Sequence, residues 1–580
     1  MDNEQKPPQT AVPQTETPEP EKSPVAPAAG SAPKNASRLS RFRGWYGTHK
    51  KLSIPATVLV ILLLSAAVPW SRYAAAGLVV KKNFNIVVLD STSHKPVSGA
   101  TVSSGRQITQ TDGNGKASLM LSSGRHNLAI AKKYYKDQRS SVLVPILKQK
   151  STPSFEVSAT GRQVKIVTKN LINQQNLSNV GIKVADITAQ TDSSGEAIVV
   201  LPAGVAEQKA SLSLDGYNDA QVTVKVSAAE IAENDFNLTP AGKVYFISKR
   251  TGRLDMMKAN LDGSDAQVVA AGTGREHDYD TQLVASPDTK YVALLSRRSK
   301  DYNTSQIYVL STANDRLLGV DNAKAEFNII GWSGNNLIYT VDHSTLPEWQ
   351  PGRYKLKSYD ASSGKINLLN QAAANGDETA YGVETYPFIM ISGQNVVFAK
   401  TWSIYYQDAT PDGFFDGKEN TLSLISADGQ GYKRLAAYDV NDYLEYVQHS
   451  PTALYIWRTP ETTNKDSFYE YTVGASAPAP IELDGDQFYN DQQTPYTSGS
   501  GQKTLWSESR DGKFSLFVGD AAGLNEKTIQ SLGKYDAYGW YGDDYILVTK
   551  DGTELYIMSS GGGKPVKITD FEQTGYFGHG

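Results

Sequence analysis

The sequence predicts an all-β protein carried behind one membrane-spanning helix. Three observations carry that prediction. A single charge-free apolar run, LSIPATVLVILLLSAAVPWS, occupies residues 52–71. Short β-type runs grouped around a Thr-Asp-x-x-Gly turn occur twice between residues 83 and 239. From residue 241 onward, units of turn followed by strand recur about every forty to sixty residues, the period of four-stranded propeller blades.

Residues 1–51 precede the apolar run. Up to about residue 37 they are rich in Pro, Glu, Gln, Thr and Ala, and Val12 and Val25 are almost the only larger apolar residues. Such a segment cannot bury enough surface to offset its ordering entropy, so it reads as a disordered tail. A docking arm using pieces such as Pro18-Glu19-Pro20 is the competing reading. The run at 52–71 has the roughly 20 apolar residues that a bilayer-crossing helix needs. Arg38, Arg41, Arg43, Lys50 and Lys51 precede it, and Arg72, Lys81 and Lys82 follow. Basic residues near a span stay in the cytoplasm. The expected topology is therefore a single pass through the cell membrane, with a cytoplasmic N-terminus, an extracellular C-terminal region and the lipid bilayer as a partner. Trp45, Tyr46, Trp70 and Tyr73 stand where interfacial anchors belong. A cleaved signal peptide competes through Ala74-Ala75-Ala76, but fifty residues precede its apolar core.

The chain of 580 residues is long enough for several domains. Its formal net charge of −4 gives no basic surface for nucleic acid, which is not expected as a partner. Cysteine is absent, which removes disulfides, thiol catalysis and every Cys-containing metal site.

In residues 83–150 the runs FNIVVLD (84–90), TVSS (101–104) and HNLAIA (126–131) read as strands, with a Gly-rich hairpin turn inside QTDGNGKASLML (110–121). Gly99-Ala100, Thr111-Asp112-Gly113-Asn114-Gly115 and Gly124 make this stretch resemble the carboxypeptidase regulatory-like module, a small β-sandwich of the transthyretin type. Asp112 is expected to form the turn through its side chain and Gly115 to take a positive φ. Residues 154–239 repeat the pattern with Thr191-Asp192-Ser193-Ser194-Gly195, AIVVL, Gly204 and Asp215-Gly216-Tyr217, although Ile182 replaces the expected Ala. The resemblance implies two small β-sandwiches acting as spacers. Neither copy holds a His/Glu cluster fit for zinc.

Residues 241–580 hold the repeat array. VASPDTKYVALLSRR (284–298), GWSGNNLIYTVD (331–342), ISGQNVVFAKTW (391–402), QHSPTALYIWRT (448–459), SGSGQKTLWSES (498–509) and YGWYGDDYILVTK (538–550) each open a unit, and each is followed by a second strand. Ser286-Pro287-Asp288 and the turn Asn260-Leu261-Asp262-Gly263 resemble TolB-type propellers. The segment 243–269 lacks an innermost strand, which residues 571–580 are placed to supply, so about seven blades are expected.

No Gly-x-Ser-x-Gly, P-loop or His-Glu-x-x-His motif occurs, and the seven histidines are scattered. The sequence thus predicts a protein that is not an enzyme: a membrane-anchored surface binding or scaffold protein, engaging an unknown protein or glycan ligand at the propeller. A hydrolase or lyase site in the propeller channel is the first alternative, and a sensor signalling through the cytoplasmic tail is the second.

One loop points to a metal. In DATPDGFFDGKE (408–419), Asp408, Thr410, Asp412, Phe414 (through its carbonyl), Asp416 and Glu419 fall at the oxygen-donor positions of a twelve-residue calcium loop, with Gly413 at the sharp turn. Thr410 departs from the usual Asp or Asn. Such loops between propeller strands resemble those of integrin α-chain propellers, which implies a structural calcium ion; an acidic turn without an ion is the competing reading. Tyr443, Tyr446, Tyr535, Tyr538, Trp540 and Tyr541 lie near the expected innermost strands. They are candidates either for ligand stacking or for ordinary strand packing.

Overall fold

The computed structural model describes residues 50–67, 73 and 81–572, except 148, 150, 203, 228–230, 302–303, 407–412, 415, 491–494, 511 and 531–534. The chain divides into two compact units. One comprises residues 1–82, 121–125 and 143–148; the other comprises 83–120, 126–142 and 149–580.

In the first unit the apolar run folds as an α-helix, Lys50–Ala67. Lys50 and Lys51 lie at the start of its described part, and residues 52–67 carry no charge. Among the described residues no helix is long and apolar enough to cross a membrane, so the expected span over 52–71 is not shown. Residues 68–71 and the tail 1–49 lie outside the described residues.

Beyond residue 80 nearly every element is a strand. Two modules of identical topology come first. In each, a three-stranded sheet carries its opening strand in the middle, and a four-stranded sheet accompanies it. The first module orders Lys116–Ser122, Lys81–Asp90 and Ser154–Val157; the second orders Glu196–Leu201, Arg162–Asn170 and Ala232–Leu238. The last strand of each triplet pairs parallel with the opening strand. Ser154–Val157, which the sequence places at the start of the second module, therefore completes the first. Period-2 burial explains the strands: Phe84, Ile86, Val88 and Asp90 all point inward. In the second module Val164, Ile166, Val199 and Leu201 from one sheet share a core with Ile182, Val184, Leu212 and Val224 from the other.

The Thr-Asp-x-x-Gly turn does the same work in both copies. The Thr111 hydroxyl donates to the Val97 carbonyl at 2.6 Å and accepts from the Ala100 N–H at 2.8 Å. Thr191 donates to Leu177 at 2.8 Å and accepts from Val180 at 2.9 Å. The Asp112 carboxylate accepts the N–H groups of Asn114 and Lys116, and Asp192 those of Ser194 and Glu196. Gly115 and Gly195 take the expected positive φ, at 68° and 75°. A Cβ on Gly115 would lie 2.5 Å from the Val88 carbonyl, so the turn also needs the missing side chain.

Equivalent residues join each module to the element C-terminal to it. Asp90, fully buried at the end of its strand, accepts from the N–H groups of Thr92 and Ser93 and from Gln163 Nε2 of the next module at 2.7 Å. Asn170, at the matching position, caps Ile172 and donates through Nδ2 to Tyr545 of the last propeller sheet at 2.8 Å. Between the modules, Lys132 Nζ donates to the carbonyls of Ser98 at 2.8 Å and Thr188 at 3.1 Å.

Burial pulls the Lys132 ammonium from its ordinary 10.5 down to about 8. Between those values the unfolded chain binds the proton and the folded chain does not, so this residue makes stability rise as pH climbs from about 8 to 10.5. Below pH 8 both states are protonated and the contribution is absent. Subtracting the unfolding free energy of Lys132→Met from that of the parent across pH 7–10.5 should expose the rise; a flat difference would refute it.

Residues 243–570 form seven consecutive antiparallel meanders, numbered here as sheets 1 to 7: residues 243–270, 282–319, 326–371, 374–439, 443–481, 496–530 and 536–570. Sheet 1 has three strands and sheet 4 has five; the others have four. Each strand pairs with the next in sequence, as propeller blades do. Val244, Phe246, Met257 and Ala259 of sheet 1 pack with Leu547, Leu555, Ile557 and Ile568 of sheet 7, which brings the two ends of the array together. Ile172 of the second module is buried in that same cluster. The N–H of Glu572 donates to the Ile247 carbonyl at 2.9 Å, on the strand where sheet 1 lacks its fourth member. The rest of the expected closing strand, 573–580, lies outside the described residues.

Candidate functional site

An antiparallel meander places the start of its first strand, the end of its second and the start of its third on one edge. In sheet 5 the pairing of Tyr443 with Thr459 and of Arg458 with Ser467 fixes that edge. The connection leaving the fourth strand arrives there as well, as the short helix Gly485–Asn490. These elements assemble one aromatic group. Tyr443 and Glu445 share a strand face through their spacing of two, and the register sets Trp457 opposite Glu445. Phe488 and Tyr489 come from the helix. Trp457 lies 6.2 Å from Tyr443 at an interplanar angle of 84°, 5.7 Å from Phe488 and 6.1 Å from Tyr489. The hydroxyls of Tyr443 and Tyr489 both donate to Glu445 Oε2, at 2.6 and 2.7 Å. Bonding to that carboxylate raises the Tyr443 phenol to about 12 and also raises Tyr489, so both stay neutral donors at physiological pH. The two tyrosines are 54% and 48% exposed.

The corresponding edges of sheets 3 and 4 carry a second group. Tyr381, near the start of the strand Ala380–Ser392, stacks on Tyr405 at 5.1 Å, and Trp349 from the connection within sheet 3 lies 5.7 Å away. The Tyr381 hydroxyl donates to Glu348, whose carboxylate also meets Arg353 Nη1 at 3.5 Å. The hairpin carrying Tyr381 and Tyr405 has strands of 13 and 12 residues, longer than any other strand among the described residues. Its base is fixed by a largely buried ion pair: Lys400 Nζ lies 2.9 and 2.8 Å from the two oxygens of the buried Glu384.

The expected aromatic residues separate into two kinds. Tyr446 is buried and stacks on Phe388 at 5.8 Å; Trp540 is buried and donates to the Tyr496 carbonyl at 2.7 Å. Tyr538 packs on Phe571, and Tyr541 packs at the junction of sheets 1 and 7. Tyr535 packs edge-on against Tyr556 and only Tyr443 stands well exposed at the rim. Sequence reasoning missed Trp349, Tyr381, Tyr405, Glu445, Trp457 and Tyr489. The spacing Tyr443-x-Glu445 at a strand start was a usable signal; the others meet it only through register and inter-sheet connections.

Of the calcium-loop residues, Asp408, Thr410 and Asp412 lie outside the described residues. Gly413 has the positive φ expected of the sharp turn, 70°, and its carbonyl accepts the Asp416 N–H at 3.0 Å. The Glu419 carboxylate, however, is paired with Arg434 at 2.6 Å. Lys418 places its ammonium over the Phe414 ring at 4.1 Å and the Trp402 ring at 5.4 Å. Among the described residues no three His, Asp or Glu side chains gather as a metal site, so the part of the loop that is described does not present a ligand set.

No protein-family model and no curated protein matches the chain. Among solved structures, it is similar to the β-propeller domain of the Trilobed protease from Pyrococcus furiosus, described as having an open velcro topology: 14% identity, TM-score 0.34, covering 58% of this chain and 95% of that one. Acylaminoacyl peptidase from Pyrococcus horikoshii is 17% identical with a TM-score of 0.31, covering 58% of this chain and 50% of its own. TolB from Acinetobacter baumannii is 13% identical with a TM-score of 0.24, covering 55% and 74%. These neighbours are β-propeller proteins, and the all-β fold agrees with them. Most of the similar structures are enzymes, including an oligogalacturonate lyase and a prolyl endopeptidase. The expectation that the chain is not an enzyme is corrected accordingly; at these identities the likeness concerns the fold alone.

Proposed function

We propose that the chain presents a β-propeller head on a stalk of two β-sandwich modules and engages a protein or glycan ligand through the aromatic, acidic rim on the entry edge of sheets 3 to 5. The observation that carries this reading is the pairing of tyrosines with carboxylates there, half-buried Tyr381 with Glu348 and exposed Tyr443 and Tyr489 with Glu445. Tyrosine joins a large, stiff apolar face to a polar tip, the combination that dominates binding hot spots. The hydrogen bonds from Asn170 and the burial of Ile172 support a stalk that holds the head firmly. The apolar run at 52–71 and the basic residues before it support a tether at the external face of a membrane. A structural calcium ion in the 408–419 loop belongs to the same reading and would have to draw Glu419 from Arg434.

The test compares the full chain with its Tyr381→Ala/Tyr405→Ala/Tyr443→Ala variant on arrays of glycans and peptides. Tyr432→Ala, exposed on the opposite edge of sheet 4, is the control. Ligands retained by the parent and the control but lost by the triple variant support the rim. Equal retention by all three would overturn it.

A further inference from the structure

We infer that Tyr443, Trp457, Tyr489 and Glu445 form a binding site for an alkylammonium cation. The inference rests on the rim reading above and names the chemistry of one part of it.

Three rings and one carboxylate meet here in differing orientations. Trp457 stands at 84° to Tyr443 and at 61° to Tyr489, so the faces do not simply stack on one another. Both phenols donate to Oε2 of Glu445, which fixes the rings relative to the carboxylate and leaves Oε1 without a hydrogen bond among the described residues. No Lys, Arg or His of the described residues lies within ion-pair distance of Glu445.

That last point sets the group apart. At three other places in the propeller a cation of the chain's own contacts both a ring and a carboxylate. Arg353 lies 5.2 Å from the centre of the Tyr354 ring and pairs with Asp342 and Glu348. Arg458 lies 5.4 Å from Tyr438 and pairs with Asp442. Arg510 lies 4.1 Å from Phe517 and pairs with Glu508 and Glu526. The group around Glu445 has the rings and the carboxylate of these arrangements, and it is accessible from solvent through two tyrosines, but among the described residues no cation of the chain's own joins them. Ring faces attract cations through their quadrupole, most strongly when a carboxylate is close and water is partly excluded. An ammonium carried on alkyl carbon suits the site better than a hydrated metal ion, because its carbon atoms also cover apolar ring surface. A lysine side chain and a choline headgroup share this chemistry.

The full chain is titrated at constant ionic strength with choline, Nα-acetyl-lysine amide and 3,3-dimethylbutan-1-ol, the uncharged isostere of choline, with binding read by NMR saturation transfer. At least one of the two cations should bind saturably and about tenfold more tightly than the alcohol. Glu445→Gln, which retains an acceptor for the phenols, and Tyr489→Ala should each weaken that cation about tenfold, and Tyr432→Ala should leave it unchanged. Preference for the lysine derivative would indicate a protein source, and preference for choline a lipid headgroup. Equal binding of cation and alcohol, no saturation by either cation, or indifference to Glu445→Gln would overturn the inference. Array binding that still depends on Tyr381 and Tyr405 would then leave the rim reading standing without it.

Discussion

Gly263→Ala is expected to be among the most damaging single substitutions in the propeller, lowering its unfolding free energy by about 3–4 kcal/mol. Gly263 has φ of +79°, and a Cβ there would stand 2.0 Å from the carbonyl oxygen of Ile568 and 3.0 Å from its carbon. The backbone conformation alone costs an alanine roughly 1–2 kcal/mol. The remainder comes from separating sheet 1 from sheet 7, where Leu261, on the same turn, and Ile568 are buried together. Gly252→Ala supplies the control: its φ is +86°, but nothing lies within 4 Å of the added methyl. Denaturant unfolding of the full chain should show a loss of only about 1 kcal/mol for the control. Equal losses for the two would mean that the contact at Ile568 yields without cost. The Asp262-Gly263 turn thus has a second duty beyond reversing the chain, since it is the point where the end of the array is received by its beginning.

Glu384→Ala should cost about 3–5 kcal/mol. Glu384 is 5% exposed; its Oε2 also accepts the N–H of Ala373 at 2.7 Å, in addition to the bonds from Lys400. Removing it leaves a largely buried ammonium, its side chain 14% exposed, without a counter-charge and a backbone donor without an acceptor. Replacing both partners, as in Glu384→Leu/Lys400→Met, removes the stranded charge and should recover much of the loss. The exposed pair of Glu419 and Arg434 is expected to contribute less than about 1 kcal/mol by the same measurement. If the double variant is no more stable than Glu384→Ala, the damage lies in the Ala373 contact or in packing rather than in the charge. The pair matters because it anchors the long hairpin that presents Tyr381 and Tyr405.

Strands and turns were legible wherever the cause was local. Alternation at Phe84, Ile86 and Val88 requires only the two-residue period of a strand with one buried face. The turns at Asp112 and Asp192 require only a side chain that reaches its own backbone two and four residues on, together with a glycine able to take positive φ. The meandering order of the seven sheets follows from short connections between consecutive strands, which the forty-to-sixty-residue repeat already contained. The helix at residues 50–67 was legible in kind from its unbroken apolar run.

The candidate site lay mostly beyond the sequence. Tyr443 and Tyr446 read alike in the chain, yet one stands at the rim and the other is buried against Phe388, because a strand's alternation names two faces without saying which faces water. Glu445 meets Tyr489 across 44 positions, and Tyr381 meets Glu348 across 33. Pattern within one strand therefore determined the elements of this protein and the order in which they pair. Which aromatic residues become core and which become rim was decided only when neighbouring sheets packed, since burial is a property of the space between elements and not of any one of them.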